Sequence, residues 1–183
     1  MFQKLDWGEK GIKINGRYLS HLRFGDDIVL FSHDATDLQE RINELSIASK
    51  EIGLEINTAK TKMMLNPFCT REQMEVEDSP LEIAASYTYL GQIVTGDGDI
   101  TPKIMQRTRT AWSTVGRLKH IFKSDMPLSL KSKVFDQCLL PAMTYASETW
   151  TLKSAHIQKL RTTQLSIESY MMGLTRRDRM PCS

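Results

Sequence analysis

The stretch Leu19-Ser20-His21-Leu22-Arg23-Phe24-Gly25-Asp26-Asp27-Ile28-Val29-Leu30-Phe31 decides the reading of this chain. Apolar residues alternate up to Phe24 and resume at Ile28, with Gly25, Asp26 and Asp27 at the break. A strand, a tight turn and a return strand would carry both acids at a hairpin tip. Two like charges about 5 Å apart repel by roughly 3 kcal/mol at an effective dielectric near 20. Hard Mg²⁺ prefers carboxylate oxygen and would offset that repulsion. The pattern reads as a metal-binding tip. The plainer reading is a surface turn made from two common turn formers.

Working outward, Asn15-Gly16 lies between Ile12-Lys13-Ile14 and Tyr18-Leu19 and is a strong hairpin signal. This hairpin feeds into the Asp-Asp hairpin, which predicts a small antiparallel meander. Asp34 or Thr36 then caps a helix with Leu38, Ile42, Leu45 and Ile52 on one face, stopped by Gly53. A helix across the back of a sheet is an α+β arrangement. Short strands are expected between Leu54 and Leu65, a loop over residues 66–80, and a strand or hairpin from Leu81 to Thr95.

The turn Gly96-Asp97-Gly98-Asp99 sets the expected domain boundary, with residues 1–98 on one side and 99–183 on the other. Beyond it, Thr101 caps a helix beginning with Pro102. Ile104, Thr108, Ala111, Val115, Leu118 and Phe122 repeat at alternating spacings of four and three, which leaves one apolar face seeking a partner helix. Met126-Pro127 opens a second helix, kinked near Pro141, and Ser154 caps a third that ends at Gly173. Helices joined by short loops predict a compact bundle.

The net charge of +2 conceals an asymmetry. Residues 1–100 hold 10 basic and 17 acidic side chains, 10 − 17 = −7, and residues 101–183 hold 14 and 5, 14 − 5 = +9. A metal site beside a phosphate-binding surface would have this balance, and so would solvated helices with no ligand. Lys103 and Arg107, and Lys119 and Lys123, are spaced as i, i+4 pairs that suit phosphate contacts. Arg176, Arg177 and Arg179 add a basic tail, and Trp112 and Trp150 read as core. No apolar run approaches the ~20 residues needed to cross a bilayer. Cys69, Cys138 and Cys182 have neither paired nor metal-type spacing, which suits a reducing intracellular compartment, nucleus or cytoplasm.

The run Gly11-Ile12-Lys13-Ile14-Asn15-Gly16-Arg17-Tyr18-Leu19-Ser20-His21-Leu22-Arg23-Phe24-Gly25-Asp26-Asp27-Ile28-Val29-Leu30 resembles the reverse transcriptase of LINE-type (non-LTR) retrotransposons. There Phe-Ala-Asp-Asp marks the catalytic hairpin of the polymerase palm. The likeness continues through Gly53-Leu54-Glu55-Ile56-Asn57, Lys60-Thr61-Lys62 and Tyr87-Thr88-Tyr89-Leu90-Gly91. It is visible again in Tyr145-Ala146-Ser147-Glu148-Thr149-Trp150-Thr151-Leu152. Two departures stand out. Gly25 replaces the family's usual Ala, and the upstream palm strand with the first metal-binding Asp is absent before Gly11. The family also continues past Ser183, so the chain reads as cut at both ends.

The resemblance implies a partial palm over residues 1–98 and a helical thumb-like domain over 99–183. It implies RNA-directed DNA polymerase chemistry, with Mg²⁺, an RNA template, a DNA primer and deoxynucleoside triphosphates, and no membrane. Asp26 would be the principal metal ligand and Asp27 would support it. Lys60 or Lys62 would stand near the incoming triphosphate, although a lysine pair on an edge strand also discourages aggregation. Tyr89 and Gly91 fall in the primer-grip hairpin, where aromatic packing on the helices is the other reading. Lys103, Arg107 and Lys119 would contact an RNA–DNA hybrid through its phosphates. With one carboxylate missing, the expectation is no polymerase activity from this chain alone. The rival expectations are a catalytically dead nucleic-acid-binding remnant, or a non-functional product of a decayed element.

Overall fold

The computed structural model describes Leu5 and residues 7–174. It divides into two compact units, Met1–Ala85 and Ser86–Ser183. The division falls before the turn at Gly96, because the hairpin that precedes this turn groups with the helices. Helices and mostly antiparallel hairpins occupy separate stretches, which is compatible with an α+β fold.

In the first unit, β1 (Ile12–Ile14) and β2 (Arg17–Leu19) pair through Asn15-Gly16, whose φ angles of 48° and 80° are those a type I′ turn requires. β3 (His21–Phe24) and β4 (Asp27–Leu30) pair from His21↔Leu30 to Phe24↔Asp27. The expected meander is not formed, since each hairpin is its own two-stranded ladder. Ser20 is the single residue between β2 and β3, and its carbonyl accepts from the Phe31 N–H at 2.8 Å, which extends the β3–β4 ladder by one rung. Gly11 passes so close to Leu19 and Ser20 that a Cβ there would lie 2.3 Å from the Leu19 carbonyl oxygen. Only glycine fits that approach.

α1 (Ala35–Lys50) starts at Asp34, whose side chain accepts from the Asp37 N–H at 3.2 Å. It ends three residues before Gly53 (φ 75°), with the Leu54 N–H returning to the Ser49 carbonyl. Leu38 and Ile42 pack on a small core of Met63, Met74, Val76 and Leu81. Ile52 was expected on this face but lies past the helix end and is exposed. The strands expected between Leu54 and Leu65 reduce to β5 (Lys62–Met63).

The expected loop over residues 66–80 contains a hairpin, β6 (Glu75–Val76) and β7 (Ser79–Pro80). Its turn, Glu77-Asp78, has φ angles of 52° and 60° without any glycine. Side chains of α1 compensate: Ser46 donates to Glu77 at 2.7 Å and Lys50 pairs with it at 3.1 Å. The Gln39 amide also accepts from the Glu75 N–H and donates to the Glu75 carbonyl, as a neighbouring strand would. β8 (Glu82–Ile83) then pairs in parallel with β5.

The second unit opens with β9 (Ser86–Tyr89) and β10 (Gln92–Thr95). α2 (Thr101–Arg117) has Ile100 at its N-cap without a side-chain cap, in place of the expected Thr101; Asp99, one residue earlier, accepts from both the N–H and the hydroxyl of Thr101. A short α3 (Lys119–Phe122) follows. α4 (Leu128–Val134) passes through a π-helical turn, Phe135–Leu139, into α5 (Leu140–Thr144). Near Pro141, where a kink is expected, the helix widens into this π-helical turn, with the Leu140 N–H reaching back to the Phe135 carbonyl just before the residue that lacks a donor. α6 (Ser154–Met171) starts after Lys153 rather than Ser154. Ala111, Val115, Phe122, Phe135, Leu139, Met143, Ile167 and Met171 form one core, each large side chain contributing about 1.5–3 kcal/mol by burial. The apolar stripe read from α2 is the face that builds it.

Candidate functional site

Gly25 and Asp26 are the two central residues of the β3–β4 turn, and Asp27 is the first residue of β4. Gly25 has φ 58° at the first central position, the pattern of a type II′ turn. Both acids are exposed, beside a Phe24 that is 66% exposed.

The base of this hairpin is held by Arg41, which is 0% exposed. Its guanidinium donates to the Ser20 carbonyl at 3.2 Å and to the Phe31 carbonyl, and pairs with Asp37 at 3.0 Å. It also lies against the Trp7 ring, whose indole N–H donates to Glu44 at 2.7 Å. Asp37 is gripped in turn by the Ser32 hydroxyl at 2.7 Å and by Lys10 at 3.2 Å. Burial raises the Asp37 pKa, but the hydrogen bonds from Ser32 and Lys10 and the charges of Arg41 and Lys10 outweigh it and hold the carboxyl below its usual value. At the foot of β3, burial and then the charges of Arg23 and Arg41 hold the His21 imidazole below its usual pKa. Sequence reasoning missed Arg41. The available signal was an arginine set among Leu38, Ile42 and Leu45 on an apolar face.

Asp26 and Asp27 offer the hard oxygens that Mg²⁺ prefers. Among the described residues, however, no group of three or more His, Cys, Asp or Glu side chains could hold a metal ion. Two neighbouring carboxylates are a fragment of a donor set and do not complete one.

Lys60 and Lys62 are not brought together on one strand face. Lys60 is exposed in the turn before β5, its N–H held by the Asn57 side chain at 3.0 Å. Lys62 lies on β5 and its ammonium pairs with Glu82 on β8.

In the second unit, Tyr89 ends β9 and the turn is Leu90-Gly91, with φ 48° and 73°. A leucine in the left-handed region costs about 1–2 kcal/mol, so something must hold it there. Arg107 donates to the Gly91 carbonyl, and the Tyr145 hydroxyl donates to the Leu90 carbonyl at 3.2 Å. Arg107 is buried and its guanidinium lies 4.5 Å from the centre of the Tyr145 ring. It therefore does not share a solvent-facing stripe with Lys103, contrary to the i, i+4 expectation. The stripe misled because Arg107 stands three residues after Ile104, on the buried side of α2.

Lys103 is half-buried, while Lys119 and Lys123 are exposed around α3. Arg109 and Arg117 are exposed on α2, and Arg117 donates to the Thr114 hydroxyl at 2.9 Å. Trp112, expected in the core, is 39% exposed and meets Tyr170 edge-on. Arg176, Arg177 and Arg179 lie outside the described residues.

Residues 8–94 match the profile of the family described as reverse transcriptase (RNA-dependent DNA polymerase). The match takes in both acids and ends inside the β9–β10 hairpin. The chain is also 33% identical, over 168 residues, to a putative uncharacterized transposon-derived protein of Caenorhabditis elegans. That alignment covers 90% of this chain and 60% of the relative. No solved structure gives a significant match.

Proposed function

We propose that this chain is part of the RNA-directed DNA polymerase of a LINE-type retrotransposon. The observation that carries the reading is the exposed Asp26-Asp27 pair on a two-residue hairpin, inside the stretch that matches the reverse transcriptase profile. In this reading residues 1–98 are the C-terminal part of a palm and residues 99–183 a thumb-like helical domain. The β9–β10 hairpin is then the palm element that contacts the helices.

Asp26 is the principal ligand for Mg²⁺ and Asp27 supports it, with a further carboxylate supplied from outside residues 1–183. Lys60 is the better placed of the two lysines to meet a triphosphate, because Lys62 is already paired with Glu82. Tyr89 and Gly91 lie toward the primer, and Lys103 and Lys119 toward the phosphates of an RNA template paired with a DNA primer. Arg107 leaves that group and becomes a support for the turn. The incomplete carboxylate set favours a second reading for the chain by itself, nucleic-acid binding without chemistry.

Primer extension tests this. Residues 1–183 with Mg²⁺, deoxynucleotides and a primed RNA template should give no extension. A longer chain that adds the upstream palm strand with its acid should extend the primer, and Asp26→Ala should abolish that. Extension by the longer chain that survives Asp26→Ala would remove the acids from the proposed role.

A further inference from the structure

The Leu90-Gly91 turn is clamped through its oxygens. Tyr145 caps the Leu90 carbonyl at 3.2 Å and Arg107 caps the Gly91 carbonyl. The Arg107 guanidinium stacks 4.5 Å from the Tyr145 ring centre, so each clamp residue fixes the other. Among the described residues the peptide bonds are trans, and the C=O and N–H of a trans peptide unit point in opposite directions. With the Leu90 carbonyl turned toward Tyr145, the Gly91 N–H points away from it. Gly91 is exposed and carries no side chain over that donor. Both turn oxygens are engaged by donors from the helical unit, and the outward polar group is the Gly91 amide donor. Backbone N–H groups are among the donors that contact phosphate oxygens.

We infer that Arg107 and Tyr145 are positioning residues that preset the Leu90-Gly91 turn to receive a phosphodiester of a bound strand on the Gly91 N–H. This rests on the nucleic-acid reading above. Neither residue touches the strand. They act by fixing the peptide plane of a turn whose leucine would otherwise leave φ 48°.

The test uses the ¹⁵N-labelled full chain and a short RNA–DNA hybrid, with the Gly91 amide resonance as one readout and hybrid affinity as the other. Tyr145→Phe keeps the ring beneath Arg107 and removes only the hydroxyl. It should shift the Gly91 resonance in the free protein and weaken hybrid binding by roughly three- to tenfold, the worth of one net hydrogen bond. Arg107→Lys should do the same. Lys119→Ala should weaken binding while leaving the Gly91 resonance in place. In the wild-type chain, added hybrid should move the Gly91 resonance.

A Gly91 resonance unmoved by Tyr145→Phe and Arg107→Lys would overturn the clamp and leave the nucleic-acid reading standing. Hybrid binding that never moves Gly91 would overturn the role of the turn as a phosphate contact. Absence of hybrid binding by the wild-type chain at low salt, with the resonance still shifted by both variants, would overturn the nucleic-acid reading and the inference with it.

Discussion

The Arg41 guanidinium lies 5.6 Å from the centre of the Trp7 ring. A fully buried arginine is costly unless its donors are met, and here two hairpin carbonyls and one carboxylate meet its terminal nitrogens. The second unit repeats the device, with buried Arg107 stacked on Tyr145 and bonded to a hairpin carbonyl. In both arginines the Nε atom is left without a hydrogen-bond partner, so the terminal nitrogens and the aromatic face carry the contact. Each hairpin that bears candidate site residues is thus tied to a helix by one planar cation.

Arg41→Ala should destabilise the first unit on the order of 3 kcal/mol, because it removes the buried donor shared by Asp37 and the carbonyls of Ser20 and Phe31. Arg41→Lys should cost somewhat less, keeping charge but losing the two-pronged reach. Urea unfolding followed by Trp7 fluorescence measures both. A loss below about 1 kcal/mol for Arg41→Ala would mean that the ion pair and the two carbonyl bonds do not hold the hairpin base.

Acid should weaken the first unit in two steps. The His21 pKa is lowered from 6.5 in the folded chain, so folding favours its neutral ring. That contribution is present above pH 6.5 and is lost as pH falls through the lower folded value. The Asp37 pKa is lowered from 3.8, so its contribution persists further and is lost only as pH falls through a value below that. Unfolding midpoints measured against pH should lose the upper step in His21→Gln and the lower step in Asp37→Asn. Retention of the upper step in His21→Gln would assign it elsewhere.

The legible parts of this chain were those governed by local rules. Asn15-Gly16 announced its turn, Gly25-Asp26 its tip, and Ile104, Ala111 and Val115 the buried face of α2. Elements held by distant side chains were not legible. The Glu77-Asp78 turn lacks glycine and depends on Ser46, Lys50 and Gln39 of α1, a relation that no window of sequence contains. Arg107 read as surface charge because its partners, Gly91 and Tyr145, lie far from it along the chain. At the hairpin tip the sequence offers an acidic pair and the structure shows the same pair, Asp26 and Asp27, exposed at the β3–β4 turn.

At that glycine-free turn, Asp78→Gly should stabilise the first unit by about 0.5–1 kcal/mol, since Asp78 holds φ 60° on an exposed position. Glu77→Gly should not stabilise, because it frees Ser46 and Lys50 from their partner. Thermal melts of the two variants decide the matter. Equal behaviour would show that backbone conformation alone governs the turn.

Hybrid binding, if carried by phosphates, should fall with salt by roughly 0.9 log units per contact per tenfold salt on B-form DNA, and somewhat less on single strands. Lys119→Ala and Lys103→Ala should each make the salt dependence shallower. Titrations at two salt concentrations would show it, and a slope unchanged by both substitutions would rule out an electrostatic surface around α2 and α3.

Gly25 holds φ 58° at the first central position of the β3–β4 turn. A Cβ at this position would meet nothing within 4 Å, so any penalty for Gly25→Ala comes from the backbone alone. An alanine held at positive φ costs on the order of 1–2 kcal/mol, whereas asparagine is among the residues that such primed turns accept there. Gly25→Asn should therefore be less destabilising than Gly25→Ala in urea unfolding. If Gly25→Ala is neutral instead, the turn has changed type, and the Asp26 and Asp27 amide resonances should shift together to record it. A neutral Gly25→Ala with those resonances unmoved would show that Gly25 does not hold the left-handed angle on which this tip is built.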